Sequence, residues 1–312
     1  MYSLLEQGTK PIFGGHEKFV FRHGWLKKGV DAIYENELIF SDDEALVILG
    51  VGKNMVRSIR HWCLATNLAH EKPGPHQKKS IEPSTLANHL MLHHAWDPYL
   101  EDTGSLWLLH WQLISNPTRA LIWSIIFSAY FVADFSKKQM IALVNRRFEQ
   151  LGVRTTQGTI EREVDCLLRT YIPKATTSGA FSEESLDCPL AELDLVQHDP
   201  QEGLYRFNIG PKPSLPTAVF SYALLNFLSK ILGTRQTITI EEILYNDGSP
   251  GQAFKLDENS IVEYLEQLVQ KTDGLLQLNE TTGLRQVYLQ EEAKSTFDTI
   301  AHKLLEGYYG GV

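Results

Sequence analysis

Ser41–Ala69, SDDEALVILGVGKNMVRSIRHWCLATNLA, decides how the rest of the chain is read, because it has the pattern of a helix-turn-helix. Ser41 is placed to cap a helix, Glu44 three residues on is its reciprocal partner, and the apolar run Ala45, Leu46, Ile48 and Leu49 follows. Gly50 ends that helix. Beyond it Met55, Ile59, Trp62 and Cys63 recur at helical spacing, which predicts a second helix with one buried stripe. Lys53, Arg57, Arg60 and His61 recur at steps of three and four, which predicts a basic outer face. No Asp or Glu stands between Gly50 and Glu71. A short helix of this kind suits the element that enters a DNA major groove, with Lys53, Asn54, Arg57, Arg60 and His61 as its contacts. A merely solvated helix face has the same composition, so DNA contact stands as one of two readings. The string GVGK is not a phosphate loop, since a Walker motif needs Gly where Val47 stands and Ser or Thr where Asn54 stands.

Working outward, 312 residues with 43% hydrophobic content give room for two or three domains with real cores and exclude a disordered chain. Cys63, Cys166 and Cys188 are odd in number and far apart, and they form no CxxC pair. That argues for buried thiols in a reducing cytoplasm and against a cysteine-held metal or disulfides. The opening MYSLLEQGTK lacks a basic region followed by an apolar core, so no signal peptide is expected. Leu121–Ala133 is apolar but too short to span a bilayer, and reads as a core helix. The net charge of -9 is unevenly spread. Residues 1–179 carry 20 Lys/Arg against 18 Asp/Glu, and residues 180–312 carry 9 against 20. Phosphate contacts therefore belong in the N-terminal half, and the acidic remainder suits protein partners.

Upstream, Phe13–Gly29 (FGGHEKFVFRHGWLKKG) alternates Phe19 and Phe21 with polar residues, which predicts a short strand between glycine turns. Lys27 and Lys28 extend the basic surface, while His16 and Glu17 read either as a polar turn or as an acid–base pair. Downstream, Glu71–Ser84 is rich in proline and lies where a β-hairpin wing would follow a recognition helix, with Lys78 and Lys79 beside the groove. In Trp96–Pro117, Asp102 or Thr103 caps a Trp-rich helix and His110 reads as a core histidine rather than a metal ligand.

A second helix-turn-helix pattern runs from Ser136 to Tyr171, with Ser136 capping, Gly152 ending the first helix and Thr155 or Thr156 starting the next. Its outer face mixes Arg162 and Arg169 with Glu161, Glu163 and Asp165, which fits a structural or dimerising copy. Helix returns over Ala218–Leu232. A third, acidic unit then combines a short helix at Ile240–Tyr245, a turn at Asn246–Gly251, an amphipathic helix at Asn259–Thr272 and a hairpin in LLQLNETTGLRQVYL. The chain is thus expected to be mainly α with small β-hairpin wings, built as tandem winged helix-turn-helix modules. The boundaries are 1–95 for a basic DNA-binding module, 96–180 for a Trp-rich and helix-turn-helix module, and 181–312 for an acidic winged-helix-like module.

The strings GGHEKFVFRHGWLKKG, LGVGKNMVRSIRHW, WDPYLED followed by LWLLHWQL, REVDCLLRTY, SLDCPLAEL and GSPGQAFKLDE come in order across most of the chain. Together they resemble a prokaryotic family of once-unknown function that includes the SspB subunit of SspABCD-type DNA phosphorothioation, a phage-defence system. The resemblance implies a DNA-binding component working with sulfur-transfer subunits, associated with nicking the strand to be modified. A nick would supply the terminal phosphate that an intact diester withholds from sulfur transfer. No nuclease motif carries over residue by residue. For strand cutting, His16, Glu17 and Arg22 are the first candidates, and a divalent metal is the cofactor such a reaction would call for; no other cofactor is indicated. A transcriptional regulator and a non-catalytic recruitment or adaptor subunit are the alternatives. Duplex DNA is the expected ligand, no membrane is expected, and homodimerisation is left open.

Overall fold

The computed structural model describes residues 4–5, 8–42, 44–73, 79–92, 94–129, 134–173, 188–272, 274–281 and 284–310. The described chain is mainly helical, with small antiparallel hairpins. It divides into two units, one of 5–126 with 133–206 and one of 1–4 with 127–132 and 207–312.

The first unit opens on α1 (Trp25–Glu35), α2 (Ala45–Leu49) and α3 (Lys53–Ala65), followed by the antiparallel hairpin β1 (Ala69–Pro73) and β2 (Lys79–Pro83) and by α4 (Thr85–Met91). Gly50, at φ 63°, ends α2 in the left-handed region that glycine tolerates. The expected Ser41 cap is not formed. Ser41 belongs to a 3-10 turn, Ile39–Ser41, and Glu44 precedes α2 with no side-chain cap. The expected strand at Phe19–Phe21 is absent too, because the two rings serve different packing partners, Phe19 on Trp25 and Phe21 on Trp62.

The Trp-rich α5 (Thr103–Ile114) is capped by Asp102, whose carboxylate accepts the Gly104 amide at 2.6 Å, and is buried on every side. His110 within it shares a 2.7 Å hydrogen bond with the Tyr171 hydroxyl, as a core histidine should. Helix α6 (Pro117–Ser128) is kinked at Ala120. Helix α7 (Lys137–Leu151) starts in a Ser136–Gln139 capping box and ends at Gly152, and α8 (Gln157–Tyr171) is capped by Thr156. A 3-10 turn (Pro189–Leu193) and the hairpin β3 (Val196–Asp199) with β4 (Leu204–Phe207) follow.

The other unit is organised on α9 (Thr217–Ile231), against which the long terminal α13 (Glu291–Tyr309) packs. Between them in sequence lie β5 (Thr237–Thr239), α10 (Ile240–Tyr245), α11 (Pro250–Phe254), α12 (Glu258–Gln270), β6 (Leu276–Thr281) and β7 (Leu284–Leu289), the strands forming a sheet in the order β5-β7-β6. The expected turn at Asn246–Gly251 is shorter than predicted, because Ser249 caps α11 and draws Pro250 and Gly251 into a helix. A Cβ on Gly251 would lie 2.6 Å from the Ile243 carbonyl oxygen, so α10 and α11 approach backbone to backbone.

Lys255 is buried in this unit, and its ammonium donates to the Phe127 and Ala129 carbonyls at 2.7 and 3.0 Å while facing the Phe207 ring at 4.2 Å. Burial holds its pKa well below the usual lysine range. Among the described residues no helix is long and apolar enough to cross a membrane.

Candidate nucleic-acid interface

Helix α3 is seated by most of the stripe that its spacing predicts: Ile59, Trp62 and Cys63 are fully enclosed, whereas Met55 is only partly buried and Val56 takes its place in the core. Trp62 anchors it to the loop before α1, since its indole Nε1 donates to the Phe19 carbonyl at 3.0 Å. The same loop is bound from α8. The Gly14 amide donates to Glu163 Oε1 at 2.6 Å, Cys166 Sγ lies 3.7 Å from the Phe19 carbonyl, and Arg169 Nη2 donates to the Lys18 carbonyl at 2.7 Å. Glu17 and Lys18 take positive φ to make this turn. Loop, α3 and α8 therefore hold one another.

That arrangement decides the fate of two candidates. His61, expected on the outer face, is instead buried at 4% exposure, and a Cβ on Gly15 would lie 2.5 Å from its Nδ1. Burial holds the His61 pKa well below its ordinary value, with the charges of His16, Arg119 and Arg60 acting in the same sense, so the ring is neutral. His16 is enclosed at 1% exposure. Its Nδ1 accepts the Lys18 amide at 3.0 Å, and Nε2 lies 3.2 Å from Glu163 Oε1 but without hydrogen-bond geometry. Burial disfavours the His16 cation, but Cys166 and Glu163 more than offset that and raise its pKa to about 10. The Lys18 amide pointing at Nδ1 works against the added proton. Glu17 does not pair with His16 for catalysis; it meets Arg57 Nη1 at 3.3 Å. Arg22 lies against the Trp25 and Phe19 rings.

What remains outside is the first half of α3. Lys53 and Asn54 are exposed on its first turn, whose Gly52 cap has no side chain, and Arg57 stands one turn further on. Lys28 of α1 reaches the same end of the motif, donating to the Leu49 carbonyl at 3.3 Å, whereas Lys27 is paired with Asp31 at 2.6 Å. Sequence reading missed the tip of α2. Val47 is 83% exposed, with Leu46 and Ile48 also outward, so only Ala45 and Leu49 of the expected apolar run face the core.

A second cluster forms on the hairpin, around the middle of β1. Glu71 of β1 accepts from Arg60, from Lys79 at 2.8 Å and from Arg119 at 3.0 Å, three cations on one carboxylate. Burial alone would raise the Glu71 pKa, but Lys79, Arg119 and Arg60 outweigh it and bring the pKa down to about 2. Arg119 was not anticipated, because nothing local ties a residue at the start of α6 to the hairpin. Lys78 lies outside the described residues. Among the described residues no group of three or more His, Cys, Asp or Glu is placed to hold a metal.

Comparison with known proteins agrees with this architecture. Two solved structures are similar over 96% of this chain and 88% of theirs, each with a TM-score of 0.85. One is a magnesium ion-bound SspB crystal structure at 32% identity, the other an SspB crystal structure at 30%. No curated protein matches. The family model for a protein of unknown function, DUF4007, matches residues 13–309, and the chain belongs to that family.

Proposed function

We propose that this protein is the DNA-engaging component of a DNA phosphorothioate modification and defence system, and that the start of α3 with the β1–β2 hairpin meets duplex DNA. In this reading α1–α3 and β1–β2 act as a winged helix-turn-helix within residues 1–95. The mixed-charge helices of 96–180 are a supporting copy, and the acidic 181–312 meets sulfur-transfer subunits. The observation that carries it is the pairing of an uncapped, acid-free α3 start bearing Lys53, Asn54 and Arg57 with the net-positive Arg60–Lys79–Arg119 group. Lys28 and Lys79 add phosphate contacts, with Lys78 assigned by sequence alone, while Lys27 stays paired with Asp31. The likeness to SspB structures supports the setting.

Whether the protein also nicks the strand separates an enzyme from a recruitment subunit or regulator. Burial of His16 and the engagement of Glu17 by Arg57 favour a recruiting role for this face. The test is binding to a labelled duplex at two salt concentrations, alongside relaxation of supercoiled plasmid with and without magnesium. The expected result is salt-sensitive binding that weakens roughly 10- to 100-fold when Lys53 and Arg57 are both changed to Ala, with a shallower salt slope. Relaxation by the native protein would make it a nickase, and binding without relaxation would make it a recruiter. Absence of binding by the native protein would overturn the proposal.

A further inference from the structure

We infer that the start of α1 is a binding site for a phosphate group, with Arg22 as its anchor. Two independent observations meet there. The first is a helix end without a side-chain cap. The N-cap is Gly24 at φ 78°, with no side chain to cap and no acidic residue in the first turn. The Trp25 amide bonds to the Arg22 carbonyl at 3.0 Å and the Lys28 amide to the Gly24 carbonyl at 2.9 Å, whereas the Leu26 and Lys27 amides have no acceptor among the described residues. Such a pair of free amides at the positive end of a helix dipole favours an anion.

The second observation is Arg22 itself. Only 8% of it is exposed, yet its guanidinium has no hydrogen bond or ion pair among the described residues. Its carbon stands 5.1 Å from the ring centre of Trp25, the first residue of α1, and 6.0 Å from that of Phe19. A guanidinium buried this far is ordinarily paired, because its desolvation is otherwise unrepaid. Its nitrogens are not among the enclosed side-chain atoms lacking a partner, so the edge of the fork still reaches solvent. The platform beneath is fixed, since the Phe19 carbonyl is held by Trp62.

A planar fork with its face on aromatic rings and its edge free is built for two oxygens of one tetrahedral anion. The surroundings are close to balanced in charge. Lys27 is occupied by Asp31, and His23 lies 3.7 Å from Glu192, so Arg22 and the two amides supply the attraction. The ligand is therefore a phosphate, either free or in a nucleic-acid backbone; the second source rests on the DNA-binding role proposed above.

The experiment is amide-resolved NMR of the whole protein, titrated with inorganic phosphate against chloride at equal ionic strength, and separately with a short duplex. Saturable shifts of the Leu26 and Lys27 amides are expected, with the phosphate affinity reduced at least about tenfold in Arg22→Gln. Response to inorganic phosphate identifies a free-anion site, and response to the duplex alone identifies a backbone contact. Should Arg22→Gln fail to fold, the native titration decides by itself. Silence of both amides toward both ligands overturns the site, and duplex binding measured by anisotropy in the same samples shows whether the DNA reading stands without it.

Discussion

Helices α3 and α8 are each the second member of a helix pair, each buries one stripe, and each closes on the same loop from Gly14 to Phe19. They differ in what is left outside. On α3 the exposed start carries Lys53, Asn54 and Arg57. On α8, by contrast, Arg162 stands among Glu161 and Asp165, Glu163 turns inward to the Gly14 amide and Arg169 is spent on the Lys18 carbonyl. Two elements of one local plan have thus been divided between a surface and a support. On the DNA-binding role proposed above, the charge pattern of a helix pair, rather than its geometry, carries the functional distinction.

The largest test of that division removes the α3 anchor. Trp62→Ala should cost about 3–5 kcal/mol in chemical denaturation, while Cys166→Ala on the α8 side should cost about 1 kcal/mol, since it deletes only a small buried atom. Equal losses would mean the loop is held from both sides alike. Next comes charge. Arg57→Ala should weaken duplex binding several-fold and lower the salt slope by about one, and Arg162→Ala should change affinity by no more than about twofold. A larger effect at Arg162 would reverse the assignment of the two helices.

Glu71 gives a pH test of the α3 side. Its folded pKa, about 2, lies below its ordinary 4.5, so the unfolded chain binds more protons between those values. The stabilisation is complete above about pH 4.5 and disappears as the pH falls toward 2. With allowance for solvent screening, Glu71→Gln should cost about 1–2 kcal/mol near neutrality and flatten the acid limb of the stability curve in that window. Smallest of all, Lys27→Ala, which breaks the pair with Asp31, and Lys137→Ala, which breaks the 2.5 Å pair with Asp165, should each cost only about 0.3–0.5 kcal/mol.

Much of the fold was legible because it is locally determined. Gly152, the Ser136 cap, α10 and the β6–β7 hairpin follow from signals within a few residues. The errors lie where a distant segment intervenes. His61 sits roughly 80° round the helix from Lys53, at the margin of the basic arc, and whether it faces solvent depends on Gly15 closing over it. Glu71 served only as the boundary of an acid-free stretch, yet it turns back onto Arg60 once β1 forms. The candidate interface was legible as a row of cations and illegible as a set of partners. Arg119 and Glu17, which set the net charge there, come from elsewhere in the chain.

The shared loop also fixes an order of events during synthesis. Gly14 and Glu163 are 149 positions apart, so the seat of α3 is incomplete until α8 has left the ribosome. At about 5–20 residues per second that wait is roughly 7–30 s. Throughout that interval the nascent N-terminal segment has its Trp62 stripe without the full cover it later acquires. It is then a natural client for a chaperone.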